Sequence, residues 1–210
     1  MESINQYLRY GLLYLFVPKR VVNQSIHVSL PWYIAFGFVI LFGLGFTMDQ
    51  LSYQRLGDYF DSGTILLLTL GIGLGGGPLI WMILTSLFYG LGKVFKGEAS
   101  WREMQTAVAV SFTPYLFKLG LWMIQLILFG NEMFTTLSPR IDHSFFLTLF
   151  YLLIFLLDAI ITVWYLILLI FAVSEAHQFS AWVGFIITLV AMGCIWFVSQ
   201  YIFNLTLFPI

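Results

Sequence analysis

From Phe145 to Val173 the chain reads FFLTLFYLLIFLLDAIITVWYLILLIFAV, and Asp158 is the one charged residue in that run. A helix crossing the ~30 Å hydrocarbon layer of a bilayer needs about 20 mostly apolar residues. A run this long and this apolar fits the interior of a membrane. Four more runs are long enough to cross: Pro31–Met48, a second within Gly63–Leu91, a third over Thr106–Gly130, and a last over Ala181–Phe203. The predicted fold class is therefore an all-α membrane protein. A bundle of five transmembrane helices occupies residues 31–210, after an N-terminal segment over residues 1–30.

Composition supports this. Hydrophobic residues make up 60% of the chain and charged residues 9%, against about 25% charged in soluble domains. Too little polar surface exists to cover a water-soluble globule. The net charge is −1, with no basic patch interleaved with aromatics, which argues against nucleic acid as a partner. Cys194, the single cysteine, lies in an apolar run and reads as a small buried or lipid-facing residue rather than a reactive thiol.

The N-terminal segment does not read as a cleavable leader. Its apolar stretch, GLLYLFVP, is short and is followed by Pro18, Lys19 and Arg20 with no small-x-small cleavage site. It is expected to lie along the interface as an amphipathic helix, with Tyr7, Leu8, Leu12 and Leu15 toward lipid. Orientation follows from the connecting segments. Arg9, Lys19, Arg20, Lys93, Lys96 and Arg102 fall on one side of the predicted spans, and Arg55 and Arg140 on the other. Positive charge favours the cytoplasmic side, so the N-terminus is expected there. Trp32, Trp101 and Trp182 sit near predicted span ends, where indole rings prefer the interface.

Residues 70–80 read LGIGLGGGPLI, and Gly71, Gly73 and Gly76 spell G-x-G-x-x-G. A dinucleotide site would need a strand before the glycines and an acidic residue well beyond them. The flanks here are apolar and belong to one span. Close helix packing explains the pattern better. Gly71 and Gly75, and likewise Gly73 and Gly77, are four residues apart, the spacing that lets helices approach closely in lipid. Pro78 lacks a donor and its ring opposes the carbonyl of Leu74, so the helix is expected to bend or break there. A broken helix lining a substrate or ion site is the alternative.

Lys118 and Asp158 fall near the middle of the third and fourth runs. A charge at that depth costs roughly 2.5–3.5 kcal/mol on insertion scales, so each needs a partner or a wet cavity. The two runs are antiparallel, and a lysine stem reaches across the small difference in depth. A Lys118–Asp158 pair is expected, either fixing helix packing or serving a proton or ion relay. Pro114 bends the third run and frees the carbonyl of Val110, with Ser111 and Thr113 placed to compensate.

No catalytic motif occurs, so no enzyme activity and no cofactor are expected. Glu175 and His177 with His27 are the nearest approach to a metal-ligand set, and they read instead as the end of a helix and its turn.

Three stretches, in order, resemble the bacterial branch of the Yip1-domain family. YLFVPKRVVNQSIHVSLPWYIAF is similar to its opening, a short apolar segment with proline and basic residues before the first span. GLGKVFKGEASWREMQTAVAVSFTPYLF resembles its central basic, glycine-containing loop and proline-bearing third span. WYLILLIFAVSEAHQFSAWVGF resembles its later Ser-Glu-x-His stretch. The resemblance implies a five-span membrane protein with a cytoplasmic N-terminus. Eukaryotic members are linked to vesicle traffic and Rab-type GTPases and carry a D-L-Y-G-P-like segment before the spans, which this sequence lacks. GTPase binding is therefore not carried over.

The expected function is that of a non-enzymatic scaffold or accessory subunit in a bacterial cytoplasmic membrane. It would act through helix packing at Gly71–Gly77 and a basic loop at Lys93, Lys96 and Arg102, with a membrane-protein partner or a second copy of itself. The alternative is a small transporter whose path is lined by Gly71–Pro78, Pro114, Lys118 and Asp158.

Overall fold

The computed structural model describes residues 31–198 and residue 201. The expected interfacial helix, with Tyr7, Leu8, Leu12 and Leu15, lies outside the described residues, as do Arg9, Lys19, Arg20, His27 and the end of the last run.

The described chain is helical throughout: α1 (Trp32–Tyr53), α2 (Ser62–Val94), α3 (Trp101–Ser111), α4 (Tyr115–Phe129), the short α5 (Pro139–Asp142), α6 (Phe145–His177) and α7 (Ala181–Phe197). Single 3-10 turns at Leu56–Asp58 and Gly130–Phe134 join α1 to α2 and α4 to α5. Four stretches are long and apolar enough to cross a membrane: α1, α2, α3 through the turn at Phe134, and α6. The described part of the fifth, α7, is 17 residues.

Local chemistry sets the helix starts. Asp61 precedes α2 and accepts from Gly63 N at 3.0 Å and Thr64 Oγ1 at 2.6 Å. Ser100 and Glu103 form a reciprocal capping box at α3, satisfying two amides that no helical carbonyl can reach. That box starts α3 five residues before the expected Thr106. Arg102 is consequently a residue of the first turn of α3, not of the loop.

Two prolines behave differently. The third run is not one bent helix. It divides into α3 and α4 at Phe112–Pro114, where Thr113 Oγ1 donates to Val110 O at 2.6 Å and Ser111 Oγ to Val108 O at 2.7 Å. Around Pro78, by contrast, α2 runs unbroken for 33 residues. A proline disfavours helix in the residue before it by striking that residue's amide and its Cβ. Here that residue is Gly77, which has no Cβ.

The core lies where α1, α3 and α6 meet. Phe42 stacks on Phe112 at 3.9 Å between ring centroids, and Tyr115 and Tyr165 meet Phe42 and each other edge-on at 4.6 Å and 5.6 Å or as a tilted pair. These rings fill the space opened by the α3–α4 break. Around them Val39, Phe88, Val108, Val110, Leu169 and Ala172 are fully buried. The outward faces are apolar as well: Leu66, Leu67, Phe155, Leu156 and Leu189 are exposed, as lipid-facing residues must be.

α1 and α2 lie against each other with backbone in contact. A Cβ on Gly77 would stand 2.7 Å from Val39 O and 2.9 Å from Gly43 Cα, and one on Gly43 would strike Gly73 O. Gly73 and Gly77 therefore line this seam. Gly71 and Gly75 do not, having nothing within 4 Å of a Cβ position.

Candidate functional site: an intramembrane lysine between two aspartates

Pro114 immediately precedes α4, and Lys118 follows one turn later, its amide donating to Pro114 O. The Lys118 side chain is buried, with 5% of the residue exposed. Its Nζ lies 2.9 Å from Asp49 Oδ2 on α1 and 3.0 Å from Asp158 Oδ1 on α6, with Asp158 Oδ2 at 3.2 Å. The second oxygen of Asp49 accepts from Trp122 Nε1 at 3.0 Å. The Trp122 ring in turn stacks on Phe134 at 5.4 Å. The ammonium also sits 5.7 Å from the centre of the Tyr115 ring, a favourable placement over π density.

Three helices distant in sequence are thus tied at one ammonium. The two aspartates are about one-third exposed or less, 27% for Asp49 and 33% for Asp158. With all three groups ionised, the cluster carries a formal charge of −1. Ion pairing of this kind offsets the cost of burying charge only when the hydrogen-bond geometry is good. Here every Asp49 oxygen has a donor.

Sequence reasoning named Lys118 and Asp158 but assigned Asp49 to the loop after the first run. The structure corrects this: α1 continues to Tyr53, and Asp49 is one turn inside it. Trp122 was also missed. The available signal was spacing, because Lys118 and Trp122 are four apart and share a helix face.

At the opposite end of α6, Ser174, Glu175 and His177 belong to the helix itself, four residues past the expected end. His177 is buried in a slot walled by Gly92 and Gly97, whose Cβ positions its ring occupies, and it stacks on Phe179 at 5.3 Å. Its Nε2 lies 3.3 Å from Phe88 O. The basic loop docks on the same point: Glu98 N donates to His177 O, and Lys93 Nζ to Gly97 O at 3.1 Å. Lys96 takes a left-handed backbone, with φ at 64°. Among the described residues no three His, Cys, Asp or Glu side chains are grouped to hold a metal ion.

At the other end, Thr136 ties its turn to the one after α1. Its amide donates to Asp58 Oδ1 at 2.9 Å and its hydroxyl to Asp58 Oδ2. These two bonds hold the Asp58 carboxyl below its ordinary range.

A bundle of long apolar helices, with Asp49, Lys118 and Asp158 meeting between three of them, defines a polytopic α-helical membrane protein. The sequence model of the Yip1 domain matches residues 13–201, and the chain belongs to the Yip1-domain family. No curated protein and no solved structure matches it.

Proposed function

We propose that this protein is a non-enzymatic scaffold or accessory subunit of a bacterial cytoplasmic membrane, with five spans and a cytoplasmic N-terminus. The observation that carries the reading is the filled interior beside the charge cluster. Phe42, Phe112, Tyr115 and Tyr165 pack as a plug against Lys118 and its aspartates, where a transport path would need water or a coordinating cavity. The α1–α2 backbone contact and the three-helix ion cluster both favour one rigid arrangement. The face of α2 bearing Gly71 and Gly75 is left open for a partner helix or a second copy. Lys93, Lys96 and Arg102 lie at the end assigned to the cytoplasm, where each basic group near an anionic surface contributes about 1 kcal/mol.

The second reading, a small transporter, is favoured by one observation: the surplus negative charge of Asp49, Lys118 and Asp158. Proteoliposome flux separates the two. The scaffold reading expects proton and potassium flux no greater than in empty vesicles. Flux above that level, abolished by Asp158→Asn, would establish transport instead.

A further inference from the structure

A cavity of about 540 Å³ opens at the end of the bundle where α1 stops, between the Gly130–Phe134 turn, α5 and the first turns of α6. Its lining includes Arg55, Glu132, Asp142, Thr148, Tyr151 and Leu152. Its walls are built, not incidental. Ser52 Oγ donates to Met133 O at 2.6 Å, tying α1 to the turn. Glu132 receives the amides of Arg140 and Ile141, each at 3.1 Å, and Thr148 Oγ1 donates to Ile141 O at 2.8 Å.

The charges in this cavity are separate. Glu132 is engaged with backbone amides, and Asp142 accepts from Ser138 Oγ at 3.2 Å. Arg55, just past the end of α1 in a left-handed conformation with φ at 55°, makes no side-chain hydrogen bond and no ion pair with any described residue. Asp58 feels its charge only at a distance. One cation that is not neutralised by contact thus shares a cavity with two carboxylates. That arrangement complements a ligand carrying one anionic and one cationic group, and it disfavours a ligand with net negative charge.

Position fixes the source of such a ligand. α1 ends at Tyr53 and α2 begins at Ser62, so the cavity is at the level where the chain turns at the membrane boundary. α6 continues past that level, with Leu149, Leu152, Leu153 and Leu156 exposed along it. An acyl chain has an apolar surface to follow directly from the mouth of the cavity. We propose that the cavity binds the headgroup of a zwitterionic phospholipid bearing a primary ammonium. The phosphate meets the Arg55 guanidinium in a charge-assisted contact. The ammonium faces Glu132 and Asp142, and the tails lie on the exposed face of α6 beside Tyr151 and Leu152. This site is independent of whether the protein scaffolds or transports.

Native mass spectrometry of the intact protein from detergent micelles tests it. The probes are phosphatidylethanolamine and phosphatidylglycerol with identical acyl chains, and glycerophosphoethanolamine as the headgroup alone. The expected result is at least fivefold greater retention of phosphatidylethanolamine than of phosphatidylglycerol. Arg55→Gln should lower phosphatidylethanolamine retention fivefold or more, Arg55→Lys should restore part of it, and Asp142→Asn should narrow the preference between the two lipids. Circular dichroism checks that each variant keeps its helix content. Equal retention of the two lipids, or unchanged retention in Arg55→Gln, overturns the proposal. Displacement of the lipid by an equal concentration of headgroup alone also overturns it, assigning the cavity to a soluble zwitterion.

Discussion

Trp122 and Lys118, one turn apart on α4, address the two oxygens of a single carboxylate, that of Asp49, at 3.0 Å and 2.9 Å. Lys118 reaches Asp158 at the same time, so α1 and α6 are both registered against α4 by one side chain.

Removing that side chain leaves two partly buried carboxylates with no cation between them, and only the Trp122 hydrogen bond to Asp49 remains. Lys118→Met is expected to destabilise the protein by about 3–5 kcal/mol, the range for breaking a buried pair from one side. Adding Asp49→Asn and Asp158→Asn to Lys118→Met removes the stranded charges and should recover most of the loss. Thermal unfolding in one detergent, followed by circular dichroism, gives the comparison. A triple variant no more stable than Lys118→Met would sink the account.

The glycines of α2 divide by face. Gly77→Ala places a methyl group against Val39 O and Gly43 Cα and should cost about 1–3 kcal/mol, as overpacking does. Gly71→Ala and Gly75→Ala meet open space and should stabilise α2 by about 0.5–1 kcal/mol each. The signs are opposite, so ranking the Tm values of the single variants is decisive.

At the basic end, a methyl group at Gly97 or Gly92 would occupy the place of the His177 ring. Gly97→Ala should expel the ring and release the loop that Glu98 N and Lys93 Nζ fasten to that point. Trypsin cleavage after Lys93 and Lys96 should then accelerate several-fold, with cleavage after Arg55 unchanged.

The turns at the opposite end should be acid-sensitive. The Asp58 carboxyl is held below the ordinary aspartate value of 3.8 by hydrogen bonds from the side chain and then the backbone of Thr136. A lowered folded-state pKa means that the contact contributes fully above the unfolded value and is lost as pH falls through the folded one. Hydrogen exchange at the Thr136 amide should therefore quicken, beyond its intrinsic pH dependence, as pH drops below 3.8. Asp58→Asn should remove that acid-dependent part.

Much of this architecture was legible because lipid leaves few alternatives to long apolar helices. Lys118 and Asp158 were readable for the same reason: each is a lone charge in a run with no other. Asp49 was hidden by its neighbours. Gln50, Ser52 and Gln54 around it look like the start of a loop, and only Leu51 keeps the helical register that carries Asp49 into the core. Pro114 and Pro78 were read alike, although the residues before them differ, and Gly77 lacks the Cβ that a following proline strikes. α3 ends at Ser111, two residues before Thr113, whereas α2 continues through Gly77 and Pro78. The partner of Gly73 and Gly77 was present in the first run as Gly43, but spacing within one helix says nothing about which face of another it will meet.

The unbroken course of α2 through Pro78 has a consequence for the surrounding lipid. At ~1.5 Å per residue, helices of 33 residues such as α2 and α6 measure roughly 50 Å, while α1 with 22 residues measures roughly 33 Å. Hydrocarbon around α1 is matched in length, whereas the longer pair leans or carries its polar ends, Lys93 on α2 and Glu175 and His177 on α6, beyond the hydrocarbon. The protein therefore presents helices of unequal length to the bilayer on different flanks, so its tilt responds to bilayer thickness.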